Sequence, residues 1–422
     1  MQLIASSPRS SIAPMSQPDI TSYAPAVLRF LDKNRLASQR YLSENPMRKH
    51  WLSTHDFLPE ADICIDGRVQ DFSEAMGMPM GLMELYRSAG CMASFRSLSY
   101  AQRTLKAVQK SQAVDLDGEK RAMVKLRIRT VHYSHSHPDV HSCAAWNNRT
   151  EDAVKAMQVH ADELNYSFPG KMVAVVATVD TDFDAVTLIG PGGRFSVREM
   201  LDDPLMKNGQ RPERIWRELM RVFPPDWAPL LALHEHARAT FHKELTERLE
   251  ANLQFVNEVI ASERPVELLE HKETMLFVGR HVDWTGAEEH NSVFLIDDTG
   301  ERDDVLNDFV IALRYVAKNA IKAAIKADDR NWSIPVMVNI PHDDADDEGV
   351  TIVYARNLAN DLRDKLHEVA SDVVTWLIHS DNAIPANCIP DWMFRQVHDF
   401  RSRVQFVTSR SYRKDRLFRL FE

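Results

Sequence analysis

Ala61-Asp62-Ile63-Cys64-Ile65-Asp66-Gly67-Arg68 is the stretch on which the fold of this chain turns. As a strand entering a turn it alternates strictly: Ile63 and Ile65 face one way, Cys64 and Asp66 the other. A thiol and a carboxylate therefore leave one face at a strand's end, with Gly67 free to adopt backbone angles that other residues resist. Arg68 follows closely enough to hold the carboxylate through a two-pronged charged hydrogen bond. In an open parallel α/β sheet the carboxyl ends of the strands carry the chemistry. Cys64 is accordingly read as a zinc ligand, with Asp66 and Arg68 as a dyad beside it.

Residues 123–132 should supply the next ligand. Val124, Leu126, Ile128, Thr130 and His132 share one parity and Lys125, Arg127 and Arg129 the other, so a histidine emerges at the end of an apolar face. It opens a run in which His132, His135, His137, His141 and Cys143 fall within twelve residues. His135 and His137 read as surface residues able to pass protons to buffer, as does His141. His132, by its parity, and Cys143, in the small-residue stretch Cys143-Ala144-Ala145, read as ligands. Two cysteines and one histidine make a three-ligand zinc site whose fourth position is open to water. Closed structural sites use four ligands, usually with short C-x-x-C spacings, and no such spacing occurs in the sequence. Zinc lowers the pKa of bound water from about 16 to roughly 7, an effect that two thiolates should weaken. Asp66, kept ionised and aimed by Arg68, is placed to orient the resulting hydroxide toward a small electrophilic carbon. His141 is a competing third ligand, ranked behind His132.

The rest of the chain frames that site. Its 422 residues suffice for two or three domains. With 61 acidic against 51 basic side chains the net charge is -10, and no overall basic field favours nucleic acid. No apolar run is long enough to span a bilayer. The Leu3-Ile4-Ala5 piece of the Ser/Pro-rich start is too short for a secretory leader, so a cytoplasmic address is expected. Four cysteines are too few for a disulfide scaffold of this size.

The expected organisation is a flexible arm and helical region over 1–55, a zinc-binding catalytic domain over 56–265 and a C-terminal domain over 266–422. Residues 24–51 have helical spacing, 71–88 read as helix interrupted by Gly77 and Pro79, and 100–112 as another helix. Thr150 is placed to N-cap a helix running to residue 165. Residues 171–180 form a continuous apolar run, the mark of a strand buried on both faces. Strand 184–189 closes at Pro191-Gly192-Gly193, and 228–261 is a long helical stretch. This alternation predicts an α/β fold with a parallel sheet core. Beyond it the order recurs: strand 274–282, helix 305–327, strands 334–341 and 349–354, helix 355–378. Arg280, His281 and Asp283 stand there where a cysteine would be needed. The C-terminal half therefore reads as a degenerate, metal-free duplicate that packs against the active half.

Cys64, Asp66 and Arg68 in a Cys-x-Asp-x-Arg pattern, followed by a distant His and Cys, resemble the β-class carbonic anhydrases. The eleven-residue step from His132 to Cys143, the Cys143-Ala144-Ala145 run and Asp180-Thr181-Asp182-Phe183-Asp184 before a strand are similar to the divergent carboxysome shell carbonic anhydrases. The likeness takes in the three-part architecture and most of the chain. What it implies is reversible hydration of carbon dioxide to bicarbonate, with Zn2+ held by Cys64, His132 and Cys143 and with Asp66 and Arg68 as the catalytic dyad. It further implies a homodimer or higher homo-oligomer and, for a carboxysomal member, residence in a carboxysome with Rubisco and shell proteins as partners. Three features depart from the pattern: the N-terminal region is short, Trp146 stands where a smaller or polar residue is expected, and His141 lies one residue nearer Cys143 than expected.

The same residues allow a non-catalytic zinc-stabilised scaffold, its fourth ligand drawn from His135, His137 or His141. They also allow a cysteine hydrolase using Cys143 with His141, although no third orienting residue is evident. Cys91 and Cys388 read as buried structural thiols. The acidic run 343–348 reads as a solvated turn, and the Arg-rich tail from Arg410 as an amphipathic element docked on an acidic surface.

Overall fold

Two six-stranded sheets carry the chain. The computed structural model describes residues 43–64, 66–69, 72–79, 82–91, 114–116, 119–121, 123–201 and 211–262, together with six strands further on. Strands β1 (Phe57–Cys64), β2 (Glu84–Ser88), β5 (Val124–Tyr133), β6 (Met172–Asp180), β7 (Ala185–Gly190) and β8 (Gly193–Ser196) make the first sheet, in the order β2-β1-β5-β6-β7-β8. Short strands β3 (Val114–Leu116) and β4 (Glu119–Arg121) pair separately. The first four strands of that order run parallel and the last two antiparallel. The fold is α/β, with a mixed, mostly parallel sheet.

Both faces of this sheet are covered, which is why all nine residues of β6 are buried. Helix α1 (Asn45–Thr54) leads into β1, and α2 (Thr150–Ser167), α3 (Arg211–Val222) and α4 (Glu235–Ala261) follow. On one face Phe241, Leu245, Leu249 and Val256 of α4 form a single apolar cluster with Phe57, Ala61 and Ile63 of β1 and Ile128 of β5. Side chains of this size each contribute about 1.5–3 kcal/mol on burial. Asn252, fully buried on α4, accepts from Val186 N at 2.9 Å and donates to Ala75 O at 3.1 Å and Asp184 O at 2.9 Å. One side chain thus ties α4 to the turn that follows the Asp66 loop and to the β6–β7 turn.

The opposite face is not apolar between β1 and β5. Register places Glu60 beside Arg127 and Asp62 beside Arg129, and these four side chains are almost wholly inaccessible to solvent. Arg127 donates to both carboxylates, at 2.8 Å to Asp62 and 2.9 Å to Glu60, while Lys125 pairs with Glu60. Arg129 approaches Asp62 at 3.1 Å and donates to His160 Nδ1 of α2 at 2.8 Å. Burial works against ionising the carboxylates, but Lys125, Arg127 and Arg129 outweigh it and hold Glu60 and Asp62 below their ordinary range. His160 is pushed down to about 3 by burial and by Arg129, so it stays neutral and accepts that hydrogen bond.

The second sheet contains β9 (Met275–Gly279), β10 (Asn291–Leu295), β11 (Ile334–Asn339), β12 (Val373–His379), β13 (Trp392–Arg395) and β14 (Val404–Ser409), ordered β10-β9-β11-β12-β14-β13. All its neighbours are parallel except β13 with β14. Its edge strand β10 lies against β2, the edge of the first sheet. Among the described residues no helix is long and apolar enough to cross a membrane.

Several local expectations need correction. Of the described residues in 71–88, only Phe72–Ala75 is helical; Gly77 takes φ +64° against Ala251, and the segment ends as strand β2 beside β1. The helix containing Thr150 begins with that residue, so Arg149 takes the N-cap position and the Thr150 side chain caps nothing there. The stretch 228–261 is split: a turn at Ala228–Leu231 precedes α4, whose start is capped by His234 accepting from Ala237 N. Residues 373–378, read as the end of a helix, belong to β12, as the β-branched Val373, Val374 and Thr375 favour. The arm, residues 100–112, Arg280 to Asp283, the 305–327 helix, the 349–354 strand, the 343–348 run, Cys388 and the tail from Arg410 lie outside the described residues.

Candidate metal centre

Cys64 ends β1, and His132 stands one residue before the end of the adjacent parallel β5. Cys143 arrives from the connection between β5 and α2, immediately before a tight turn, Ala144–Trp146, whose Trp146 and Asn148 amides both donate to Cys143 O at 3.0 Å. The ligand atoms of the three residues all lie within 4.8 Å of one another, and all three side chains are buried. Nδ1 and Nε2 of His132 both lack a hydrogen-bond partner although they are shut away from solvent. Buried polar atoms without well-aligned hydrogen bonds cost about 1–3 kcal/mol each, and the three converging ligand atoms could hold a metal ion. A borderline-soft cation suits two sulfurs and a nitrogen.

Electrostatics point the same way. Burial disfavours charge on His132, yet the neighbouring Cys64 sulfur and Asp66 carboxylate outweigh it and push the imidazole up to about 9. The Cys64 thiol is pushed well above its ordinary range by its hydrogen bond with Cys143 and by burial. Positive charge at the centre of the trio is what these groups favour.

The dyad stands beside the trio. Arg68 holds Asp66 three times: its amide and Nε donate to Oδ1 at 3.0 and 2.9 Å, and its far guanidinium nitrogen donates to Oδ2 at 2.7 Å. That second oxygen also lies 3.1 Å from His132 Nε2, near enough for attraction but off hydrogen-bond alignment. Asp66 is therefore a fixed acceptor pointed at the ligand cluster.

Around it, Asp180 and Asp182 clamp the loop that leaves β5. Asp180 accepts from His135 N, Asp182 N and Arg198, and Asp182 accepts from Ser134 Oγ and Ser136 N at 2.8 Å. The Asp180-to-Asp184 run thus aims the His132 segment. His135 and His137 are exposed on that loop, while the side chain of His141 lies outside the described set. Cys91 is buried 4.0 Å from Thr130 Oγ1, and burial foremost raises its thiol well above the ordinary range.

Two contributors were not anticipated from the sequence. Gly90 N donates to Cys64 Sγ at 3.3 Å, from a turn that starts just past Ser88, the register partner of Cys64. Ser142, next to Cys143, buries a hydroxyl that has no hydrogen-bond partner. A helix and a following short strand are hard to tell apart over residues 71–88, so the neighbour of Cys64 could not be read from spacing.

No family model and no curated protein matches the chain. Among solved structures it is similar to the C-terminal domain of glucosamine-fructose-6-phosphate aminotransferase from Francisella tularensis, at 12% identity over 92% of this chain and 90% of that one, with a TM-score of 0.19. A likeness at that level carries no argument about fold or function.

Proposed function

We propose that the chain is a zinc-dependent carbonic anhydrase that interconverts carbon dioxide and bicarbonate. The observation that carries this is the buried Cys64, His132 and Cys143 trio set against a carboxylate immobilised by Arg68. Cys64, His132 and Cys143 would hold the zinc. When bound there, zinc supplies Lewis acidity that brings the pKa of water down toward roughly 7.

The chain's own residues do the rest. Arg68 donates to both Asp66 oxygens and holds the carboxylate toward the site as an acceptor. Asp66 takes the O–H of the attacking water and turns the oxygen lone pair toward the carbon of carbon dioxide. One C–O bond forms as a C=O π bond of carbon dioxide opens onto its oxygen. The water's O–H bond breaks and sends one proton to buffer, and bicarbonate is the product. Burial of Asp66 and the ligands keeps bulk water from competing for these hydrogen bonds.

The second sheet supports a duplication. Its first four strands repeat the order of the first sheet, second-first-third-fourth, all parallel, and the two copies meet at their β2 and β10 edges. A metal-free copy that walls the active half accounts for both features.

Stopped-flow carbon dioxide hydration by the purified, reduced protein, run beside Cys64→Ala, tests the proposal. Activity that needs Cys64 and vanishes on zinc chelation is expected. Tightly held zinc with no hydration activity would sink the enzyme and leave the zinc-stabilised scaffold.

A further inference from the structure

We infer that Trp146 is a positioning residue for the metal centre, acting through Gly90 on the sulfur of Cys64; this rests on the metal reading of Cys64, His132 and Cys143. Trp146 sits on the turn that Cys143 starts, so its backbone is tied to one ligand. Its indole Nε1 donates to Gly90 O at 2.9 Å. The amide N–H of the same glycine donates to the sulfur of the other cysteine ligand, Cys64, at 3.3 Å. A chain of hydrogen bonds therefore links the two cysteines: Cys143, its turn, the Trp146 indole, the Gly90 residue, Cys64 Sγ.

The packing leaves little slack. Gly90 takes φ +59°, a backbone angle that side-chain-bearing residues rarely adopt. A Cβ there would stand 2.8 Å from both Ala145 Cβ and Trp146 Nε1. Gly90 is thus the residue that lets the Ala89–Cys91 turn sit on the Ala144–Trp146 turn while presenting its amide to the sulfur. Hydrogen bonds to a ligand atom orient it and set how much charge it lends a metal, and removing them typically changes metal affinity 10–100-fold. An N–H on a thiolate withdraws charge from the sulfur, which favours a more acidic metal centre. A large residue after Cys-Ala-Ala thereby gains a purpose: the indole supplies both the reach and the N–H.

Trp146→Phe, which keeps a ring and removes the donor, is the test. Zinc affinity is measured by chelator competition on the full chain, and the cobalt-substituted protein is examined by absorption. The variant should bind zinc about 10-fold or more weakly. Its sulfur-to-cobalt charge-transfer band should move to longer wavelength, because a thiolate whose Gly90 N–H is no longer held in place gives up charge more readily. Trp216→Phe, an exposed tryptophan on α3, should change neither readout. Gly90→Ala should weaken zinc binding at least as much as Trp146→Phe.

Wild-type affinity and an unmoved cobalt band in Trp146→Phe would overturn the inference while leaving the metal centre standing. Metal-free Trp146→Phe that no longer folds would overturn it too, by making Trp146 a purely structural residue. A wild-type chain that takes up neither zinc nor cobalt would instead remove the metal reading itself.

Discussion

Strands β1 and β5 build two buried polar clusters side by side, and the two differ in one respect. In the Glu60, Asp62, Lys125, Arg127 and Arg129 ladder, both carboxylates meet cations within the same pair of strands. Three residues past Arg129, His132 is closed in by the Cys64 and Cys143 sulfurs and the Asp66 carboxylate. Both are polar and shut away from water. The ladder is closed by ion pairs between its own two strands, while the Cys64, His132 and Cys143 group gathers ligand atoms that could hold a metal ion. Opposite charges that pair hold a fold together, whereas thiol and imidazole ligand atoms that converge can take an ion from outside.

That contrast can be broken experimentally. Cys64→Ala should abolish zinc binding and lower carbon dioxide hydration at least 1,000-fold, an expectation of the proposed mechanism checked by metal analysis and stopped flow. Because Cys64 lies outside the main apolar cluster, the variant's urea midpoint without metal should stay near that of the metal-free wild type.

Arg127→Met should do the reverse. It leaves Glu60 and Asp62 buried without their shared partner and should destabilise the fold by about 3–5 kcal/mol in urea titrations. In the wild type these carboxylates titrate below their ordinary range, so the stability they confer is full above about pH 4 and is lost as pH falls through the lowered values. Acid unfolding of Arg127→Met should accordingly begin at higher pH than in wild type. A variant that melts like the wild type would make the ladder an incidental feature.

Asp66→Asn should keep zinc and lose about 100-fold in hydration, because an amide offers an N–H where the water's O–H needs an acceptor. Equal losses of zinc and activity would move Asp66 from chemistry to ligand positioning.

The smallest effect lies at the other end of β1. Glu244 of α4 accepts from Asp56 N at 2.7 Å, and burial foremost raises its carboxyl to about 7. A raised acid binds its proton more tightly when folded, so this contribution is present below about pH 4.5 and fades as pH climbs toward 7. Glu244→Gln should flatten stability over that window by about 2 kcal/mol, measured by denaturant titration at several pH values.

The convergence of Cys64, His132 and Cys143 was legible because its signals are local. Parity at the end of β1 singled out Cys64 and Asp66, parity in β5 singled out His132, and small residues marked the Cys143 turn. The charge ladder was invisible for the opposite reason. Lys125, Arg127 and Arg129 alternate as an exposed face would, and only their pairing with β1, some 65 residues earlier, shows that the face is buried. Strand β2 escaped notice because five residues with a helical lead-in carry too little periodicity. Gly90 and Trp146 meet across 56 residues, a contact no spacing announces.

The meeting of β2 and β10 has a consequence for how the molecule behaves when scarce. An open strand edge invites pairing with another chain, and two separate chains that met in this way would part on dilution. Here the neighbouring edge travels on the same polypeptide, so its effective concentration does not fall with that of the protein. The contact between β2 and β10 should therefore survive at nanomolar protein.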